Sequence, residues 1–257
     1  MLDELRVPPG HKAELSERDP GQKLGLEKPV DLSAEGAALL DLQDRLWAEA
    51  RRSVLVVLQG MDASGKDGTI RHVFTGLNPH GCRVTDFKQP SATELAQDYL
   101  WRIHSACPAR GQIGIWNRSH YEDVVATRVR GLTSEHVWRR RYQHLREFER
   151  MLHAEGTTII KLFLHISFEE QGKRFEKRAH DPTKQWKLQP SDLADRSHWN
   201  AYTKAYEEAL TETSTEWAPW HVIPADRKWV RDAIVTRLLL HTLQELHPQF
   251  PEPPAPA

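Results

Sequence analysis

Val54-Leu55-Val56-Val57-Leu58-Gln59-Gly60-Met61-Asp62-Ala63-Ser64-Gly65-Lys66-Asp67-Gly68 is the stretch on which the fold turns. Its first six residues are an apolar run of strand length, rich in β-branched side chains. Gly60 to Lys66 spells G-x-x-x-x-G-K, and Asp67 to Phe74 suits the start of a helix. Strand, glycine-rich turn, lysine and helix together are the setting in which a phosphate-binding loop, or P-loop, makes physical sense. Glycines let the backbone N–H groups turn inward around phosphate oxygens. The helix N-terminus adds partial positive charge and Lys66 a full one. Gly60, Ala63, Ser64, Gly65, Lys66, Asp67 and Gly68 are therefore the expected phosphate-binding residues. The plainer alternative is a glycine-rich turn with a surface lysine.

The residue after the lysine departs from the usual pattern. A Ser or Thr there puts its hydroxyl on Mg²⁺, but this chain has Asp67, with a second carboxylate, Asp62, inside the loop. Carboxylates beside a phosphate cradle repel the ligand unless a cation sits between them, and Mg²⁺ takes one or two carboxylates plus phosphates and water. Asp62, Asp67 or both are expected to face Mg²⁺. The other reading of Asp67 is a helix cap, where negative charge is favourable in any case.

The chain has 257 residues, enough for one sizeable α/β domain. Its net charge of −1 leaves no global field to recruit a polyanion, so any such site is local. The two cysteines, Cys82 and Cys107, lack metal-ligand spacing and fit a reducing compartment. No apolar run of about 18 residues and no leader-like start is present. A soluble, cytoplasmic protein that does not bind membranes is expected.

Residues 1–30 carry Pro8, Pro9, Gly10, Pro20, Gly21, Gly25 and Pro29 and read as an extended arm that wraps the domain or reaches a neighbouring subunit. A kinase-type domain is expected over 31–247, with a Pro-rich tail over 248–257. A helix is expected over 34–52 with Ser33 as its cap, and strands over 54–59, 82–87, 112–116, 157–165 and near 220–223. Ser91 to Glu94 reads as a capping box opening a helix to about Ser105, and Ser167 to Glu170 as a second box. Long helices are expected from Thr133 or Ser134 to His153, over 192–214 and over 226–246. Alternating strands and helices opened by a P-loop argue for a parallel sheet covered on both faces.

In such sheets ligands bind at the C-terminal strand ends. Just past a short strand come Asn117, Arg118, Ser119, His120, Tyr121, Glu122 and Asp123. Arg118 suits bidentate phosphate binding, and Glu122 and Asp123 suit Mg²⁺ or its waters. His120 resembles a base, but a phosphate acceptor is already anionic and needs none. Residues 171–187 hold six basic side chains against two acids, a local charge of +4. Arg174, Lys177 and Arg178 share a helix face by spacing, and Lys184 and Lys187 follow beside Pro182. Cations on a mobile segment over about 171–195 are what a closing lid needs. Arg83, Lys88 and Arg102 are candidates to extend the cationic path. Arg139-Arg140-Arg141 reads mostly as a solvated face. Trp47, Trp138 and Trp229 have core-like helical company, whereas Trp116 and Trp186 are candidates to touch a base.

The chain resembles the polyphosphate kinase 2 family from the P-loop to the last helix. The residues that carry the resemblance are Gly60 to Gly68, Asn117 to Val124, Asp181-Pro182 with Lys184, Trp186 and Lys187, Asp195 to Trp199, and Ala218 to Trp229. The resemblance implies a three-layer α/β/α P-loop kinase fold with a helical lid. It implies Mg²⁺-dependent (Mn²⁺ as an alternative), reversible phosphoryl transfer between inorganic polyphosphate and nucleotides, in a homo-oligomer, dimer or tetramer. By position it assigns Asp62 and Lys66 to the P-loop, Arg118 to the second motif and Arg178 to the lid, as catalytic residues. Many members have Asp where this chain has Asn117, and the combination with Glu122 and Asp123 looks like the subgroup that uses both nucleoside mono- and diphosphates. An ATP-fed kinase of a small metabolite and a non-enzymatic phosphate binder are the rival readings. Nucleic acid is not an expected partner, because no recognition motif accompanies the basic residues.

Overall fold

The computed structural model describes residues 2–187 and 190–253, with side chains outside 187–193. Its frame is a five-stranded, wholly parallel sheet in the order β2-β3-β1-β4-β5, formed by β1 (Ser53–Gln59), β2 (Cys82–Asp86), β3 (Ile113–Asn117), β4 (Thr157–His165) and β5 (Trp220–Pro224). The five strands read from the sequence are the five observed. β1 is buried along its entire length, as its unbroken apolar run requires at the centre of a parallel sheet covered on both faces. It pairs with β3 on one side and β4 on the other. The chain builds outward to β2 on one side before returning across β1 to β4 and β5, so the C-terminal end of β1 sits where the strand order reverses. Crevices open at such reversals.

The helices are α1 (Leu2–Leu5), α2 (Ser33–Glu49), α3 (Lys66–Val73), α4 (Ala92–Leu95), α5 (Trp101–His104), α6 (Ala126–Val129), α7 (Glu135–Ala154), α8 (Phe168–His180), α9 (Pro190–Ser197), α10 (Trp199–Thr213) and α11 (Lys228–Leu246). α11 packs on α2, α3 and β5, and α7 packs on β4 and α10, giving the three-layer α/β arrangement.

Four local expectations are corrected. Ser33 opens α2 rather than capping it, because Asp31 Oδ1 accepts from Ser33 N at 3.0 Å. The first capping box forms at Ser91 and Glu94, but the expected helix to Ser105 breaks into α4 and α5. Asp98 Oδ1 accepts from Leu100 N at 2.9 Å and turns the chain. Leu95 is 70% exposed, so the four-residue spacing from Leu95 to Ile103 marks no common face. At Ser167 only half a box exists: Ser167 Oγ accepts from Glu170 N, while Ser167 N donates to Asp226 Oδ1. The expected helix over 192–214 is two helices, α9 and α10, separated at His198.

Trp138 is buried, but Trp47 is 40% exposed, since α2 turns Leu39, Gln43 and Leu46 inward instead. At the amino terminus, Leu5, Val7, Ala13, Leu15 and Leu26 are buried in the main core. Val7 N donates to Trp220 O at 2.8 Å, and Arg6 bridges His221 in antiparallel sense, so this segment lies along the β5 edge. In the Pro-rich tail, Pro254 and Pro256 lie outside the described residues. Among the described residues no helix is long and apolar enough to cross a membrane.

Candidate active site

The P-loop leaves β1 through Gly60, whose φ of 146° an L side chain rarely adopts. A Cβ there would stand 2.7 Å from Leu164 O, so β4 presses on the loop from behind. Gly65 has φ 110°, and a Cβ on it would lie 1.8 Å from Arg231 Nη1. These two glycines are thus required by shape as well as by conformation.

The loop's carbonyls are held from outside. Arg174 Nη1 donates to Ala63 O at 2.9 Å and Ser64 O at 3.0 Å, and Gln171 Nε2 donates to Asp62 O at 2.8 Å. In a trans peptide the C=O and the following N–H point opposite ways. Pinning these oxygens outward therefore turns the N–H groups of Ala63 and Gly65 toward the loop's concave side, while Ser64 N closes the turn on Met61 O at 3.1 Å. Ser64 Oγ is buried and has no hydrogen-bond partner among the described residues. Lys66 is buried at the head of α3, its Nζ donating to Gly60 O at 2.7 Å and Met61 O at 3.3 Å. Burial lowers its pKa to about 8, with Arg118 pushing the same way and Asp62, Glu122 and Asp67 opposing.

Arg118, at the turn after β3, has φ 64°, and this left-handed backbone aims its side chain back at the P-loop. Nη2 meets Asp62 Oδ1 at 2.7 Å and Nη1 meets Glu122 Oε2 at 3.2 Å. Glu122 does most to raise its pKa, against desolvation, so it stays charged. Asn117 Nδ2 donates to Asp86 Oδ1 at 2.6 Å and Asp67 Oδ1 at 3.1 Å, spanning the ends of β2 and β3 and the start of α3. The Asn117 Oδ1 atom is buried without a partner among the described residues. Gly60, Asp62, Arg118 and Glu122 line one crevice, whose other wall carries Asp195, Arg196, Trp199, Tyr202 and Tyr206.

Not every expected site residue joins this group. Asp123 does not stand with Asp62 and Glu122: the short turn His120–Asp123 sends adjacent side chains apart, and Arg141 reaches the Asp123 carboxylate at 3.7 Å. Desolvation raises the Asp123 pKa to about 6. Among the described residues, no three His, Cys, Asp or Glu side chains form a ready-made ion site.

Arg174 is not a lid cation. All five of its N–H directions are taken, by Glu170 Oε1, Ala63 O, Ser64 O, Ala225 O and Asp226 O, so none is left for phosphate. Lys177 and Lys173 are exposed, and Arg178 is half-buried with its guanidinium 5.8 Å from the Phe175 ring. Lys184 is ion-paired to Asp181 within its own loop. The Lys187 side chain lies outside the described residues. Trp116 is fully buried and donates to Ala106 O, which removes it from any base contact; Trp186 is 72% exposed. Arg102 donates to Lys88 O at 2.8 Å, and Arg83 is exposed on β2.

His120 belongs to a buried cluster. Lys161 Nζ donates to Glu149 Oε2 and Thr213 O, both at 2.7 Å, and to Tyr121 OH at 2.9 Å, and Tyr121 OH donates to Glu149 Oε1. His120 Nε2 lies 3.3 Å from Glu149 Oε1, and burial lowers its pKa. The cluster anchors the turn that follows Arg118.

A model of the polyphosphate kinase 2 family matches residues 27–251. The chain belongs to the polyphosphate kinase 2 family. It is 50% identical to the AMP/ADP-polyphosphate phosphotransferase of Meiothermus ruber, over 98% of this chain and 96% of that protein. It is 47% identical to the ADP-polyphosphate phosphotransferase of Rhodopseudomonas palustris, over 83% and 78% respectively. The crystal structure of polyphosphate kinase 2 from Arthrobacter aurescens superposes with a TM-score of 0.95 at 40% identity, covering 99% of this chain and 93% of that one. The P-loop kinase fold of this family is thus the fold of this chain, as its sequence motifs implied.

Several contributors to this polyphosphate kinase 2 site were not singled out from the sequence, among them Tyr202 and Tyr206 of the crevice wall. Gln171 lay unremarked among basic neighbours. Asp86 ends an exposed edge strand with no motif around it. Arg231 sits in the first turn of α11, more than 160 residues from the loop it packs against, and carries no local signal.

Proposed function

We propose that this enzyme transfers phosphoryl groups reversibly between inorganic polyphosphate and nucleotides, making ADP and ATP from AMP, ADP and polyphosphate. The observation that carries the reading is the meeting of Asp62 and Arg118 at one crevice at the strand-order reversal, with the buried Lys66 within reach of both charges and bonded to the loop's Gly60 O, in a chain of this family. The names of the relatives support polyphosphate as donor and nucleotides as acceptors. Asn117 with Glu122, and the name of the Meiothermus relative, favour use of both AMP and ADP.

The chain's own groups account for the work. The inward N–H groups of Ala63 and Gly65, the Ser64 hydroxyl and Lys66 bind phosphate oxygens. Arg118 exchanges part of its pairing with Asp62 and Glu122 for the transferring phosphoryl group and offsets charge as it develops. Arg178 and Lys177 follow α8's fixed first turns and approach from the side of a lid confined to the residues after Arg174. No base is needed, and His120, buried and held neutral, supplies none.

Asp62 and Glu122 are hard oxygen donors beside the phosphate cradle, and Asn117 Oδ1, at the end of β3, has no partner among the described residues. This donor set fits Mg²⁺, which needs only one or two protein carboxylates when phosphates complete its shell. Asp62 with Glu122 would hold it, Asp67 standing at the head of α3. When bound, Mg²⁺ neutralises phosphate charge and orients the chain of phosphates. A homo-oligomeric, cytoplasmic enzyme completes the proposal.

The test is incubation of pure protein with Mg²⁺, long-chain polyphosphate and AMP or ADP, with nucleotides separated by chromatography. ADP followed by ATP from AMP supports the dual-acceptor reading. ATP from ADP alone restricts the enzyme to diphosphates. No product, with ATP consumed in a screen of small acceptors, replaces the proposal by a metabolite kinase.

A further inference from the structure

Arg196 lies on α9, across the crevice from the loop that carries Lys66, and two hydrogen bonds connect it to that loop. Its Nη1 donates to Gln171 Oε1 at 2.7 Å, and Gln171 Nε2 donates to Asp62 O at 2.8 Å. Gln171 is 3% exposed, so its amide exchanges neither bond cheaply for water. Its orientation is also fixed. Turning the amide over would set its NH₂ against a guanidinium and its oxygen against a carbonyl.

α8 is shaped to seat Arg196. Phe168 O accepts from Nη1 at 2.9 Å, and the Phe168 ring centre lies 3.6 Å from Cζ. A Cβ at residue 172 would stand 2.9 Å from Nη2, so Gly172 provides the space. Phe168, Gln171 and Gly172 fall at i, i+3 and i+4, one face of the helix. The neighbouring Asp195 binds Arg130 at 2.5 Å and Tyr202 OH at 2.9 Å, holding α9 from its other side. The Asp62 carbonyl reached through Gln171 is the one whose orientation sets the direction of the Ala63 N–H.

We propose that Arg196 is a positioning residue for phosphoryl transfer, acting through Gln171 to hold the Asp62–Ala63 peptide in its phosphate-receiving orientation while α9 is docked. The inference rests on the phosphotransferase reading above. It makes α9 and the P-loop one coupled unit, so that docking of α9 sets the cradle.

The test is a double-mutant cycle. Steady-state kinetics with polyphosphate and ADP are measured for wild type, Arg196→Ala, Gln171→Met and the double variant, each checked by thermal melting. Amide hydrogen exchange is followed over residues 60–66. Each single change should lower kcat about tenfold, within the range for misplaced reacting groups, with KM for ADP moving less than about threefold. The double variant should be no slower than the worse single, because the relay is already broken. Exchange in the P-loop should rise in all three. Arg196→Lys, which keeps charge but not the fork, should remain impaired; it replaces Arg196→Ala in the cycle if that variant does not fold. Normal kcat in either single variant, unchanged exchange, or losses that multiply to about a hundredfold would overturn the relay. An inert wild type would instead overturn the phosphotransferase reading.

Discussion

Arg118 Nη2 lies 2.7 Å from Asp62 Oδ1, so the turn after β3 and the P-loop after β1 are tied by an ion pair at the mouth of the crevice. The pair keeps a guanidinium poised over the cradle, and the left-handed backbone at Arg118 makes this aim possible. Arg118→Lys retains charge but not two parallel donors. Its kcat should fall at least about a hundredfold, the scale for loss of one key transition-state donor. Rates within a few-fold of wild type would remove Arg118 from the chemistry.

Lys66 carries the second cation, and burial brings its pKa to about 8. The protonated form binds phosphate, and deprotonation occurs as pH rises through that value. kcat/KM should therefore decline above about pH 8, a profile that reports the free enzyme. Lys66→Arg should move the decline upward by more than a pH unit even if its plateau is lower, because guanidinium does not deprotonate in this range. Lys66→Ala should lose at least about a hundredfold in turnover. A decline left in place by Lys66→Arg would assign it to another group.

Arg174 and Arg178 are four residues apart on α8 but face different tasks. Arg174→Ala strands the carbonyls of Ala63, Ser64, Ala225 and Asp226 in a buried setting. It should cost about 3–5 kcal/mol of stability in denaturant melts, the range for breaking a buried charged network. Arg178→Ala should leave stability nearly unchanged and cut turnover about a hundredfold. The reverse pattern would exchange their roles.

The order of elements was legible because strand, P-loop and helix share a short stretch, and because strands such as Val54–Gln59 and Thr157–His165 are mostly apolar. Lys66 and Arg118 were legible for a similar reason: each lies just past an apolar strand, where a parallel sheet gathers its ligands. Arg174 was misread because spacing alone cannot say which side of a helix meets the loop. Its basic neighbours suggested a solvent-facing phosphate track, whereas the carbonyls of four distant residues claim its donors. Asp123 failed likewise, since residues adjacent in sequence on a helical turn do not face the same way, and Arg141, a residue of a different helix, claims its carboxylate. Gln171, Arg196 and Arg231 act through contacts between elements far apart in the chain. No local pattern encodes them, although Asp195 to Trp199 marked the neighbourhood.

Asn117 Nδ2 serves two carboxylates at once, Asp67 and Asp86. Asn117→Asp replaces a shared donor with a third negative charge. The variant should melt lower than wild type without Mg²⁺, by about 2–4 °C for each kcal/mol of repulsion. It should regain more than wild type does when Mg²⁺ is added, because cation binding to the folded state is stabilising. Equal Mg²⁺ responses would show that the amide is not holding like charges together.

The most direct test of the whole account is a ³¹P NMR time course of the wild-type protein with Mg²⁺, long-chain polyphosphate and ADP. The account predicts that the γ-phosphate signal of ATP grows in step with the loss of polyphosphate phosphate, and that excess ATP drives the reaction backward into polyphosphate. ATP formation with polyphosphate left intact, or polyphosphate hydrolysed to free phosphate with ADP unchanged, would contradict it.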